Sequence, residues 1–78
     1  MRIHVRLFSR FQEHLPAEAH GVADIDLPEG ATVDDLVRQL GIVRKVKLIT
    51  VNDQSESDLA RPLGEGDSVR IFPIVVGG

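Results

Sequence analysis

Cysteine is absent from the 78-residue chain. That excludes disulfides, thiolate metal sites, iron–sulfur clusters and a nucleophilic thiol. It also removes the usual staple of small secreted domains. Tryptophan and tyrosine are missing as well, and phenylalanine occurs three times, so platforms for stacking bases are scarce. No apolar run approaches the ~20 residues of a membrane span. Met1 to Arg6 alternates charged and apolar residues instead of building the apolar stretch of a secretory leader. A basic excess is lacking too: the formal net charge is −3, and the only dense basic run is Arg44-Lys45-Val46-Lys47. That run reads as a solvated loop or a partner-facing patch. The expectation is a soluble, cytoplasmic protein that binds neither nucleic acid nor membrane.

A chain of this length predicts one domain, whose core holds the fold but leaves little room for an internal pocket. Chemistry is therefore expected on the surface, at a terminus or in a complex.

Ile3, Val5 and Leu7 alternate with Arg2, His4 and Arg6, which predicts a strand with one wet face. Ser9 is placed to cap a short helical turn over Arg10 to Leu15, ended by Pro16. Ala17 to Gly21 reads as a small polar loop. Ala23, Ile25 and Leu27 alternate with Asp24 and Asp26, a second strand antiparallel to the first. Thr32 has the chemistry of a helix N-cap, with Asp35 three residues on. Val33, Leu36, Val37 and Leu40 then form one apolar stripe, and Gly41 fits the left-handed residue that closes a helix. Leu48 to Val51 is a continuously apolar strand, read as more central than the first two. Ser55 to Leu63 reads as irregular or a single helical turn, anchored by Leu59 and Leu63. Gly64 to Asp67 is a turn, and Ser68 to Ile71 a last strand ended by Phe72 and Pro73. Four strands and one amphipathic helix have an economical α+β solution, a sheet curled over the helix with the first and last strands as a parallel central pair.

The sequence closes on Ile74, Val75 and Val76 and then Gly77 and Gly78. Residues 1–73 complete the domain pattern, so 74–78 is expected to be a flexible, extended C-terminal tail. An apolar segment with no place in its own core suggests a partner's groove. Six residues from Pro73 span about 20 Å when extended. Gly77 and Gly78 have no side chains and pass a narrow channel at any backbone angle.

The run Leu63-Gly64-Glu65-Gly66-Asp67-Ser68-Val69-Arg70-Ile71-Phe72-Pro73-Ile74-Val75-Val76-Gly77-Gly78 resembles the end of MoaD/ThiS-type ubiquitin-like sulfur carriers. Val51-Asn52 and Leu27-Pro28-Glu29-Gly30-Ala31-Thr32-Val33 fit the same pattern. The resemblance implies a β-grasp fold with a mixed sheet of four to five strands. It implies that a ubiquitin-activating-type enzyme uses ATP to adenylate the Gly78 carboxylate. A sulfur donor then converts the adenylate to a thiocarboxylate. The chain would be a protein co-substrate with no catalytic residues and no permanently bound cofactor. Phe72-Pro73 is similar to the small subunit of molybdopterin synthase, which implies docking of Phe72, Pro73, Ile74, Val75, Val76 and Gly77 on a large subunit. Ile74 stands where that family often has a second proline, and Val76 where it often has a small residue. The short segment from Ile42 to Lys47 is more similar to thiamine-type carriers.

Phe8 and Phe11 divide, one closing the core and one on the surface; an exposed Phe8 near Phe72 would make a partner patch. His4, His14 and His20 share no face, and no metal site is expected. Asp24 and Asp26 lie on the wet side of a strand. Gly64 and Gly66 precede a strand, so they do not form a phosphate loop. Three rivals remain: a carrier serving thiamine or another thiolated product, a ubiquitin-like interaction module or tag, and a regulatory domain whose tail is incidental.

Overall fold

Alternation sets the first strand. In the computed structural model, which describes residues 1–42 and 46–73, β1 (Arg2–Leu7) buries Ile3, Val5 and Leu7 to 1% exposure or less and points Arg2, His4 and Arg6 to solvent. It is followed by two short 3-10 helices (Ser9–His14 and Ala17–Ala19), then β2 (Val22–Asp26), α1 (Val33–Gln39), β3 (Val46–Val51), β4 (Gln54–Ser55) and β5 (Ser68–Pro73). The five strands form one mixed sheet in the order β2-β1-β5-β3-β4. β1 and β5 are parallel, with Val5 opposite Val69 and Leu7 opposite Ile71. β2 and β3 run antiparallel to their inner neighbours.

The helix begins where the sequence predicts. Thr32 accepts a hydrogen bond from the Asp35 N–H, and the Asp35 carboxylate accepts one from the Thr32 N–H at 2.8 Å. The remaining donors of the first turn reach outside the helix. Val33 N–H donates to the Arg61 carbonyl and Asp34 N–H to the Leu59 carbonyl, each at 3.0 Å. The segment read as irregular thus supplies the acceptors that the helix start lacks. Leu63 is buried there, whereas Leu59, expected as a second anchor, is 46% exposed; its place is fixed by its backbone. Val33, Leu36 and Leu40 meet the inner face of the sheet, each worth about 1.5–3 kcal/mol of burial. Gly41 closes the helix at φ +78°.

Other expectations need correction. Ser9 caps nothing: it lies inside the first 3-10 helix at φ 54°, and Phe8 precedes that helix without a side-chain cap. The left-handed turn at Ser9 sends Phe8 and Phe11 to different sides. The loop from Ala17 contains a 3-10 turn, ended by left-handed His20. β3 starts at Val46, ahead of Leu48, and is no more interior than β1, because β5 takes the centre. Its continuous apolarity has another cause: Leu48 faces outward and is 39% exposed. Asn52 and Asp53, both at positive φ, make a tight two-residue turn into β4, which completes the fifth strand.

Candidate functional site

The outer face of the sheet carries the candidate site. Side chains at alternate positions of β1, β5 and β3 project from it in rows set by the strand register. Phe72 is opposite Leu48, and Arg70 is opposite both Arg6 and Thr50. Phe8 continues this face beyond β1, held there by a hydrogen bond from its N–H to the Ile71 carbonyl. The Phe8 and Phe72 rings stack with centroids 4.2 Å apart and 12° between their planes. Arg6 lies over the Phe8 ring, its guanidinium carbon 5.3 Å from the ring centroid. Phe8 and Phe72 are half-buried and Leu48 is exposed, so an aromatic and aliphatic surface faces solvent at the end of β5.

Pro73 is buried and pairs with Val46 as the last residue of β5. The strand therefore runs through Phe72 and Pro73, the last of the described residues. Of the expected site residues, Phe8, Phe72 and Pro73 come together at this corner. Ile74, Val75, Val76, Gly77 and Gly78 lie outside the described residues. Phe11 takes the opposite role to Phe8: it is fully buried, with its ring edge-on to His14.

The corner depends on where β5 begins. Asp67 accepts from the Asn52 side-chain amide at 3.0 Å and from the Gly64 N–H at 2.8 Å. Asn52 in turn accepts from the Ser68 N–H through its side chain and donates its own N–H to the Ser68 carbonyl. Val51-Asn52 and Gly66-Asp67, separate in sequence, thus form one clasp that fixes the start of the strand bearing Phe72. Accepting these bonds, chiefly from Asn52 and then from Gly64, holds the Asp67 carboxyl below the usual carboxylate range against a smaller opposing effect of desolvation. The Asp35 carboxyl is lowered mainly by the Thr32 backbone N–H.

Sequence reasoning missed Leu48 and the arginine row. The signal for Leu48 was the phase of β3: Ile49 and Val51 are the inward pair, which leaves Leu48 as an apolar residue on the wet face. The histidines are dispersed, His4 against Asp24 on the sheet, His14 beside Phe11 and His20 at a turn. Among the described residues no group of three or more His, Asp or Glu could hold a metal ion, and no helix is long and apolar enough to cross a membrane. Asp24 and Asp26 pair with His4 and Arg2 on the exposed face.

Residues 5–78 match the model of the ThiS family. No match is found among the curated proteins. Several solved structures are similar. A putative molybdopterin converting factor subunit 1 from Pyrococcus furiosus is 26% identical, with 96% of this chain and 99% of that chain covered and a TM-score of 0.75. The complex of subunits 1 and 2 of the molybdopterin-converting factor from Helicobacter pylori contains a chain 24% identical, with both chains fully covered and a TM-score of 0.67. Small archaeal modifier protein 1 of Haloferax volcanii is 19% identical, with 95% and 98% covered and a TM-score of 0.75. With the observed strand order and single main helix, these likenesses make the fold a ubiquitin-like β-grasp.

Proposed function

Because the chain belongs to the ThiS family of small ubiquitin-like proteins, we propose that it is a sulfur carrier whose Gly78 carboxylate is the working group, serving molybdopterin formation. The carboxylate attacks the α-phosphorus of ATP in an adenylating enzyme, and pyrophosphate leaves. The acyl-adenylate so formed has a good leaving group where a carboxylate has none. A sulfur donor then displaces AMP and leaves a thiocarboxylate, whose terminal sulfur is the nucleophile passed on. ATP belongs to the activating enzyme, and the chain contributes no catalytic side chain.

The observation that carries this reading is the Phe8–Phe72 stack at the end of the strand from which 74–78 departs. A stacked pair left half-exposed beside Leu48 is a docking surface whose position relative to the tail is fixed by the sheet. Residues 1–73 act as the recognition domain and 74–78 as the extended arm. The arm brings Gly78 into a partner site, with Ile74 to Val76 as strand-forming contacts and Gly77-Gly78 threading a narrow passage. The likeness to a molybdopterin converting factor subunit 1, and to a complex that pairs subunits 1 and 2, supports a large-subunit partner that receives the sulfur. The ThiS match and the short Ile42 to Lys47 segment favour a second client, thiamine or another thiolated product.

Intact-mass measurement after incubation with the adenylating enzyme, ATP and a sulfur donor tests the reading. The expected result is the mass gain of one sulfur replacing one oxygen, located on Gly78. No gain under conditions that charge a known carrier overturns it, and isopeptide adducts in its place make the chain a protein tag.

A further inference from the structure

Two arginines share one row of the exposed sheet face. Arg6 on β1 is directly opposite Arg70 on β5, and neighbouring strands lie about 4.8 Å apart. Like charges directly opposite each other cost stability, so the fold does not ask for this pairing. Its internal compensation is small. Among the described residues no carboxylate lies within ion-pair distance of Arg6, which rests over the Phe8 ring. Arg70 has Asp53 at 3.6 Å, a carboxylate whose side chain is 80% exposed. The row continues to Thr50, opposite Arg70, whose buried Oγ1 has no hydrogen-bond partner among the described residues. Two guanidinium groups and an unused hydroxyl thus adjoin the aromatic corner, on a chain whose net charge is −3.

We propose that Arg6 and Arg70 form a clamp for one carboxylate side chain of the adenylating enzyme, fixing the rotation of the sheet face on that partner while Phe8, Phe72 and Leu48 fill an apolar pocket. This rests on the sulfur-carrier reading. A planar guanidinium matches a carboxylate with two parallel hydrogen bonds, and two of them around one carboxylate set its direction as well as its place. The surroundings select a single carboxylate over a polyanion. Asp24 and Asp26 occupy the same face one and two rows away along β2, with Val22 opposite Arg6, and a nucleic-acid backbone laid across the clamp would meet them. The apolar patch orients nothing by itself, because stacked rings and a leucine accept many rotations; the charge row supplies that direction, and Gly78 is delivered only in the correct one.

The test measures ATP–pyrophosphate exchange by the adenylating enzyme of the same organism as a function of carrier concentration, at about 0.05 M and about 0.5 M salt. It compares the native chain with Arg6→Leu, Arg70→Leu, the double Leu variant and the double Lys variant. Single variants are expected to raise KM roughly fivefold and the double Leu variant roughly fiftyfold, with kcat within about twofold of native and the differences shrinking at high salt. The double Lys variant, which keeps charge but loses the fork, should recover only part of the loss. Thermal midpoints of the Leu variants should equal or exceed the native value, because repulsion is removed. Unchanged KM in the double Leu variant, with the native chain charged normally, overturns the clamp and leaves the carrier reading intact. A lowered midpoint in the Leu variants overturns it too, by making the arginines structural. So does loss of binding to a labelled oligonucleotide with charging unaffected. Failure of the native chain to support exchange overturns the carrier reading and the clamp together.

Discussion

Replacing Phe11 and Phe72 separately by alanine tests whether two of the three phenylalanines hold opposite jobs. Phe11 is fully buried in the core. Its truncation removes the largest enclosed side chain, an event that costs about 3–5 kcal/mol in other cores. A chain of this size has a total stability of about 4–12 kcal/mol, so Phe11→Ala should remove about a quarter of it or more. At about 4–8 °C per kcal/mol the midpoint falls by about 12–40 °C. Phe72 is half-exposed and loses mainly its stack on Phe8, a contact worth about 0.5–1.5 kcal/mol. Phe72→Ala should therefore cost less than about 2 kcal/mol while sharply raising the KM for adenylation. With no tryptophan or tyrosine in the chain, unfolding is followed by far-ultraviolet circular dichroism. A Phe72→Ala loss equal to that of Phe11→Ala would place Phe72 in the core and refute the assignment of the stack to docking. A Phe8→Ala, Phe72→Ala double-mutant cycle with no coupling would show that the stack contributes nothing.

Gly21 sits at φ +78°, and an added Cβ would lie 2.7 Å from the Leu7 carbonyl oxygen and 2.8 Å from Gln12 Cγ. The glutamine can move but the strand carbonyl cannot, so Gly21→Ala should lower stability by about 2–4 kcal/mol in urea unfolding; a neutral outcome would show that the β1–β2 loop is looser than described. Asp67 has its carboxyl lowered in the folded state by Asn52 and Gly64, so its stabilisation is complete above the ordinary carboxylate value and is lost as pH falls through the lowered one. The difference in urea midpoint between the native chain and Asp67→Asn should hold from neutral pH to about 5 and shrink below about 4; a difference independent of pH would sever the link between the clasp and the charge.

How much of this was legible depended on the reach of each interaction. Thr32, Asp35, the stripe from Val33 to Leu40, and Gly41 act within a few residues of one another, and the sequence marked the helix at both ends. The parallel pairing of β1 with β5 was legible because two alternating strands flank a single helix. Long-range bonding was not. The carbonyls of Leu59 and Arg61 cap the helix through backbone atoms, which no side-chain pattern announces. Ser9 has the chemistry of a cap, yet the left-handed turn there serves to part Phe8 from Phe11. The Arg6–Arg70 row exists only through the register of two strands more than sixty positions apart in the chain. Phe8 and Phe72 were legible as candidates, and only the fold brought their rings together.

β5 is the last of the strands in sequence and the middle one in space. Before it inserts, β1 and β3 have open inner edges, and the partial sheet is two separate pieces. Translation therefore delivers the keystone late, and pairing across so long a separation is slow. The same arrangement makes completion of the domain a condition for assembling the aromatic corner, since Phe72 rides on the strand that locks the two halves. A partly folded chain therefore lacks the stacked Phe8–Phe72 surface. A truncation that removed β5 would unseam the sheet from its centre.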